Sequence, residues 1–280
     1  MNDAMRRVLP LAAAGWIVLP AAGQEAMYTE AATMPSPHTG VVREQFHYFK
    51  YGSNPGNGDE QTEFFEAMTS IDYGLARGLS LRLDIPAALR RDESATGQED
   101  WDKGVEDLHV QAKYRVYKDD TGGVDTLRIA LLGGLYLPSG DDHDFSDNGV
   151  DPMLGGVVTK VWGRHGFNQD LIYRLNTGGD EADNFGGDGP SDALSFDSAY
   201  LFRIAPPRYT AESTGAWYVT GEVNGLYETS GDWDIRFSPG LMYEGRTWGF
   251  ELMMQVPLYE DVTHRSEFQF GMGIGIRLAF

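Results

Sequence analysis

The sequence predicts an all-β protein: a transmembrane, antiparallel, up-and-down β-barrel of about twelve strands that follows a cleaved signal peptide. Three observations carry this. Segment after segment alternates apolar and polar residues, the connections alternate between short and long, and the chain stops on a bare Phe. Side chains on a strand point to opposite faces with period 2, so each such segment is a strand with one greasy face.

Composition sets outer limits on function. The 280 residues include no Cys, which removes disulfides, thiol catalysis and Cys-held metals or clusters. A formal net charge of −20 argues against nucleic acid as a partner. Mean hydropathy is −0.36, and no internal run approaches the roughly 20 apolar residues of a spanning helix. Barrel strands escape that test, because the polar half of each strand cancels the lipid-facing half.

Residues 1–23 read as a secretory signal: Arg6 and Arg7, an apolar stretch from Val8 to Leu19, then Ala21, Ala22 and Gly23. The alternative, an uncleaved anchor helix, is disfavoured by that short apolar stretch. Residues 24–40 are a polar lead containing "MPSPHTG", and 41–280 are the barrel.

Strands are expected near 41–51, 62–75, 78–90, 104–118, 125–138, 152–163, 166–176, 192–205, 215–228, 233–244, 247–259 and 266–280. Leu79, Leu81, Leu83 and Ile85 oppose Ser80, Arg82 and Asp84. Leu108, Val110, Ala112, Tyr114 and Val116 oppose Asp107, His109, Gln111, Lys113 and Arg115. Leu194, Phe196, Tyr200, Phe202 and Ile204 oppose Ser195, Asp197, Ala199 and Arg203. Trp217, Val219, Val223 and Tyr227 oppose Tyr218, Thr220, Glu222 and Asn224. Such strands exceed the usual length of about 5–6 residues and suit tilted crossings of a bilayer. Pro239 and Pro257 are awkward in a closed barrel and belong at bulges or strand ends, with a break expected in the tenth strand.

"ARG", "DDTGG", "GRHG", "PPRYTAESTG" and "EGRT" are mostly tight connections, whereas "GSNPGNGDEQ", "RDESATGQEDWDK", "SGDDHDFSDNGVD" and "TGGDEADNFGGDGPSD" are longer and richer in Gly and acid. Short periplasmic turns and long outer loops alternate in this way when both termini are periplasmic. Late connections such as "TSGDW" and "EDVTHRSE" are short for outer loops. The acidic loops favour divalent cations bridging to lipopolysaccharide.

Counting back from the end, Phe280, Leu278, Ile276, Ile274, Met272, Phe270 and Phe268 share one face, with Arg277, Gly275, Gly273, Gly271 and Gln269 on the other. Only closure abolishes sheet edges, so the last strand must pair with the first and turn its greasy face to lipid. This segment resembles the C-terminal signature of bacterial outer-membrane barrels. The resemblance implies that Phe280, Leu278 and Ile276 are read by the barrel-assembly machinery.

A second resemblance covers most of the barrel. "EDLHVQAKYRVY", "GGLYLPSGD", "FSDNGVDPMLGG", "YRLNTGGD", "GEVNGLYE" and "FSPGLMYEGRTWGFELMMQVPLYED" look like the outer-membrane family of the phenol-degradation meta-pathway type. Ser139 stands where that family would have Thr. The resemblance implies a transporter of small aromatic or hydrophobic solutes and carries over no catalytic or binding residues.

The inward faces offer charged candidates for a constriction: Arg82, Asp84, Arg115, Arg128 and Arg174, with Asp197, Arg203, Glu222 and Arg277. Of these, Arg82, Arg128 and Arg277 are expected nearest the narrowest point. Buried charges must pair or meet water, so the same set could be a solute-selecting lumen or an ion-pair network that fills it. Inner Gly271, Gly273, Gly275, Ala130, Ala199 and Ala279 are small enough to leave a pore. Asp142, Asp144, Asp147 and Asp151 form a weak calcium candidate without the spacing of an EF-hand loop. Six His lack metal-ligand spacing, and no G-x-S-x-G is present. No cofactor is expected. The expected function is diffusion of small solutes across an outer membrane. A barrel enzyme acting on lipid and a secreted soluble β protein are the alternatives.

Overall fold

A computed structural model describes residues 24–53, 61–94, 96–121, 124–141, 145–178, 187 and 189–280. The signal segment 1–23, Asp142 and Asp144 lie outside them. The strands are β1 (Gly40–Tyr51), β2 (Gln61–Ala76), β3 (Leu79–Glu93), β4 (Glu99–Val105), β5 (Leu108–Thr121), β6 (Asp125–Leu137) and β7 (Asp151–Trp162). They continue as β8 (His165–Arg174), β9 (Ala193–Ala205), β10 (Gly215–Glu228), β11 (Trp233–Gly245), β12 (Trp248–Asp261) and β13 (Phe268–Ala279).

Each strand pairs antiparallel with its neighbours in sequence, except that β4 and β5 both pair with β3, and β13 returns to β1, so the sheet closes on itself. The seam runs from Val41 opposite Ala279 to Phe49 opposite Gly271. Beyond it, Phe280 N–H donates to Gly40 O (2.9 Å) and Gly40 N–H to Phe280 O (2.8 Å). Phe280 is thus the last stitch of the barrel seam.

Thirteen strands make twelve wall positions. The expected strand 104–118 is split into β4 and β5, which pair with the upper and lower parts of β3. The break at Glu106–Asp107 has a local cause. Pro86 has no N–H for the ladder, and Asp107 turns its carboxylate to Ser139 N–H and Gly140 N–H, both at 2.9 Å.

The other prolines behave differently from expectation. β11 runs unbroken through Pro239, which sits opposite Gly221 of β10, while its ladder to β12 is interrupted between Phe237 and Gly240. Pro257 lies beside a register shift at Leu258, past the end of the β12–β13 ladder. Both therefore keep their missing donors away from a required bond.

The outer face is apolar, as the alternation requires: Leu81, Val110, Tyr114, Val219, Met272, Ile274, Ile276 and Leu278 are exposed, and Ser80, Gln111, Lys113, Tyr218, Glu222 and Arg277 are buried. Two aromatic groups bound this face. Trp217, Tyr243 and Trp248 pack at tilted angles at the turn end (5.0 and 4.8 Å between centroids), and Tyr227, Trp233 and Phe196 pack tilted and edge-on at the loop end (4.6 and 6.1 Å). The ten steps from Trp217 to Tyr227 span about 33 Å of strand, or about 25 Å of height at a tilt near 40°, the apolar band of an outer-membrane barrel.

One face assignment is corrected. Phe268 does not join the lipid face but is buried inside, 2 % exposed. The register slips between Lys50 and Tyr51, which pair with Phe270 and Phe268, so Gln269 is bulged out and the alternation reverses there.

Candidate functional site: the plugged lumen

Residues 24–36 lie inside the barrel. They rise from the turn end to mid-lumen near Met27–Thr29 and return to the turn end at Ser36, where β1 follows after Thr39. The polar lead is therefore an internal plug, with Ala26, Ala31 and Ala32 almost fully buried.

Small wall residues make room for it. Ala26 packs with Ala199, Leu201, Ala216, Tyr218 and Met242, and Ala32 with Ala130, Leu132, Met153 and Val157. A Cβ at Gly273 would collide with the Met27 Sδ, and one at Gly74 with the Ser36 carbonyl. Of the small inner residues expected to leave a pore, Ala130, Ala199 and Gly273 receive the plug, whereas Gly271 faces Phe49 and Phe268, and Gly275 faces Glu251.

The wall grips the plug with opposite charges from opposite sides. On β8 and β10 the wall is acidic. Glu222 accepts from Met27 N–H (2.9 Å), Tyr28 N–H (3.1 Å), Thr29 N–H (2.7 Å) and the Thr29 hydroxyl (2.7 Å). Asp170 accepts from Glu30 N–H at 2.7 Å. On β1, β3, β5 and β13 the wall is basic. Arg82 donates to Glu30, to Glu25 (2.9 Å) and to Asp72 of β2 (3.0 Å). Lys113 donates to Glu30 (2.6 Å) and to Ala31 O (2.8 Å). Arg43 joins Ala26 O (2.8 Å) to Glu251 (2.7 Å), and Arg277 lies 3.8 Å from both Glu25 and Glu251.

Burial alone would raise both plug carboxyls. Arg82 and Lys113, with Arg43 and Arg277 for Glu25, instead hold them below the usual range, well below it for Glu25. Both are carboxylates in the folded plug.

The sequence-derived candidates separate into three places. Arg82, Glu222 and Arg277 meet the plug. Arg115, Arg128 and Arg203 stand near the turn end: Arg115 N–H bonds Gly78 O, Arg128 is 3.5 Å from Asp120, and Arg203 donates to Gly163 O (3.1 Å). Arg128 thus does not share a constriction with Arg82 and Arg277. Asp84 pairs with His109 at 2.9 Å, and Asp197 accepts from Gly225 N–H at 3.2 Å. Arg174 reaches the loop end, where it donates to Asp151 (2.8 Å) and Asp147 (3.4 Å). Of the weak calcium candidate, Asp147 and Asp151 thus share one guanidinium, and Asp142 and Asp144 lie outside the described residues.

Sequence reasoning missed Glu25, Glu30, Asp170 and Lys113 as one assembly. The available signal was the lead itself, "QEAMYTEAATM", with two acids among small residues and no Gly or Pro to keep it irregular.

At the turn end, a cavity of about 360 Å³ lies between Thr33–Ser36 and the seam. Met34, Pro35, Val41, Ala279 and Phe280 give it an apolar lining, and Glu25, Asp72, Arg82 and Lys113 also line it.

Fold, lipid face and filled lumen define a transmembrane β-barrel of the outer-membrane type. The chain is similar in structure to the COG4313 outer membrane channel from Pseudomonas putida F1, at 13 % identity and TM-score 0.59, over 92 % of this chain and 99 % of that one. It is also similar to the β domain of the Bordetella autotransporter BrkA, at 13 % identity and TM-score 0.52, over 87 % of this chain and 100 % of that one. No family model and no curated protein matches the sequence.

Proposed function

We propose that this protein is an outer-membrane channel for small solutes, aromatic ones among them, that residues 24–36 close from the periplasmic side. The observation that carries the reading is the plug's attachment. Hydrogen bonds, ion pairs and Ala-sized packing hold it to the wall, and its only covalent link to the barrel is the short run into β1. Such a segment can leave without unfolding a closed barrel, whose ladder is complete without it. The largely apolar cavity beneath it is within the usual range for small-molecule pockets, about 300–1,000 Å³, which supports an aromatic or hydrophobic solute.

The test exploits the absence of Cys. With Met27→Cys and Gly273→Cys, oxidation locks the plug to β13. Planar-bilayer recordings should show conductance in the reduced protein and none in the oxidised one. Equal behaviour in both states would defeat the proposal.

The lipid-enzyme reading gains nothing here. His47 Nε2 and His109 Nε2 are buried with no hydrogen-bond partner, so neither activates a serine among the described residues.

We further propose that Phe280 is read by the assembly machinery. Deleting it should lower the folded, heat-modifiable fraction in outer membranes, and normal levels would count against that role.

A further inference from the structure

Glu30 spans the two charged walls: its backbone N–H bonds Asp170 on β8, while its carboxylate bonds Arg82 on β3 and Lys113 on β5. We infer that Glu30 stands in for the transported solute, and that the site it occupies binds a small carboxylate carrying a hydrogen-bond donor three carbons from the carboxyl carbon. This rests on the channel reading above.

The argument is one of charge left behind. When the plug withdraws, Lys113 loses its bonds to Glu30 and Ala31, which are all it makes among the described residues. Arg82 keeps Asp72 but loses Glu25 and Glu30. A cation left unpaired in such a wall is costly, so an incoming carboxylate is favoured there. On the facing wall, Asp170 loses its donor from Glu30, and it already has one buried carboxylate oxygen without a partner. An N–H or O–H from the solute restores that bond.

The reach between the walls follows from Glu30 itself. Its nitrogen and its carboxyl carbon are separated by Cα, Cβ and Cγ. In 3-hydroxybenzoate three ring carbons likewise separate the phenolic oxygen from the carboxyl carbon. Benzoate lacks the donor, and 3-hydroxybenzyl alcohol lacks the carboxylate. The adjoining apolar cavity gives an aromatic ring somewhere to lie.

In the native chain Glu30 competes with the solute, so apparent affinity is reduced by the fraction of plugged molecules. The experiment is calorimetric titration of the folded, detergent-solubilised full chain with these three probes. Replacing the anchor with Glu30→Ala should tighten 3-hydroxybenzoate binding by about tenfold or more. In that variant benzoate and 3-hydroxybenzyl alcohol should each bind at least about tenfold more weakly than 3-hydroxybenzoate, as in sites whose polar groups are left unpaired. Adding Lys113→Gln should abolish the gain. Heat-modifiability confirms that each variant is folded, and Glu30→Gln, which keeps the side chain's volume, serves if the Ala variant is not.

Equal binding of the three probes, or no gain on removing the Glu30 carboxylate, would overturn the inference. Swelling of liposomes in arabinose separates this from the parent reading. A folded variant that admits arabinose yet shows no carboxylate preference sinks only the solute assignment. No arabinose entry through any variant would sink the channel reading itself.

Discussion

The two ends of the lumen are filled by different kinds of structure. At the turn end the filler is the plug, bound to Glu222, Asp170, Arg82 and Lys113. At the loop end the filler is the wall's own side chains. Arg265, from the β12–β13 connection, folds inward and lies 3.3 Å from both Glu228 and Asp234. Arg236 pairs with Asp234 (2.8 Å) and lies 3.7 Å over the Phe268 ring, which meets Tyr51 edge-on. The first arrangement can come out as a unit. The second is tied to β1, β10, β11 and β13 and can only be lost by deforming them. In the proposed channel, gating belongs to the turn end and rigidity to the loop end.

The largest expected effect tests the plug. Glu222→Ala removes the acceptor of three backbone N–H groups and one hydroxyl, and a bond to a charged group is worth about 1.5–3 kcal/mol net of its exchange with water. Even a net loss of about 3 kcal/mol shifts the open–plugged balance about a hundredfold. Single-channel recordings should show a mostly closed parent and a mostly open variant, with little change in the temperature at which the barrel loses heat-modifiability.

The reverse pattern is expected for Arg265→Met. Breaking a buried pair from one side costs about 3–5 kcal/mol because the acids stay behind uncompensated. The variant should unfold at a clearly lower temperature while its conductance stays near that of the parent. If it opened the channel as widely as Glu222→Ala, the division between a movable and a fixed end would be wrong.

The smallest effect is a pH response at the loop end. Burial, with a hydrogen bond that the protonated carboxyl donates to the neighbouring Asp151 carboxylate, pushes the Asp147 carboxyl up to about 7. A carboxyl raised in the folded state binds its proton before the unfolded chain does, so its linkage term favours folding as pH falls from about 7 to about 4. The protection of amides 145–150, meaning exchange relative to its intrinsic rate at each pH, should rise between pH 7.5 and pH 5.5, and Asp147→Asn should remove that rise. An unchanged profile in the variant would mean that another group is responsible.

The sequence made the wall legible to within a few residues of most strand ends. The reason is physical: lipid on one side and polar lumen on the other force strict alternation, as in Leu81 against Arg82 or Val110 against Gln111. It failed where alternation slips, at the Gln269 bulge that turns Phe268 inward and at the Glu106–Asp107 break, because a single extra residue leaves no mark in composition.

The candidate site was legible only in part. The inward charges were readable one by one, since each sits at an even step from its neighbours on a strand. Their partners were not. Glu30 meets Lys113 across 83 positions and Glu222 meets Met27 across 195, and no local pattern encodes such distances. The small inner residues were visible too, but Ala130, Ala199 and Gly273 mean an open pore in an empty barrel and a docking surface in a filled one. Sequence alone determined the barrel, its lipid face and the charges it would enclose. Only the tertiary structure decided that residues 24–36 lie among those charges, because the energy that places them comes from walls on opposite sides of a closed sheet.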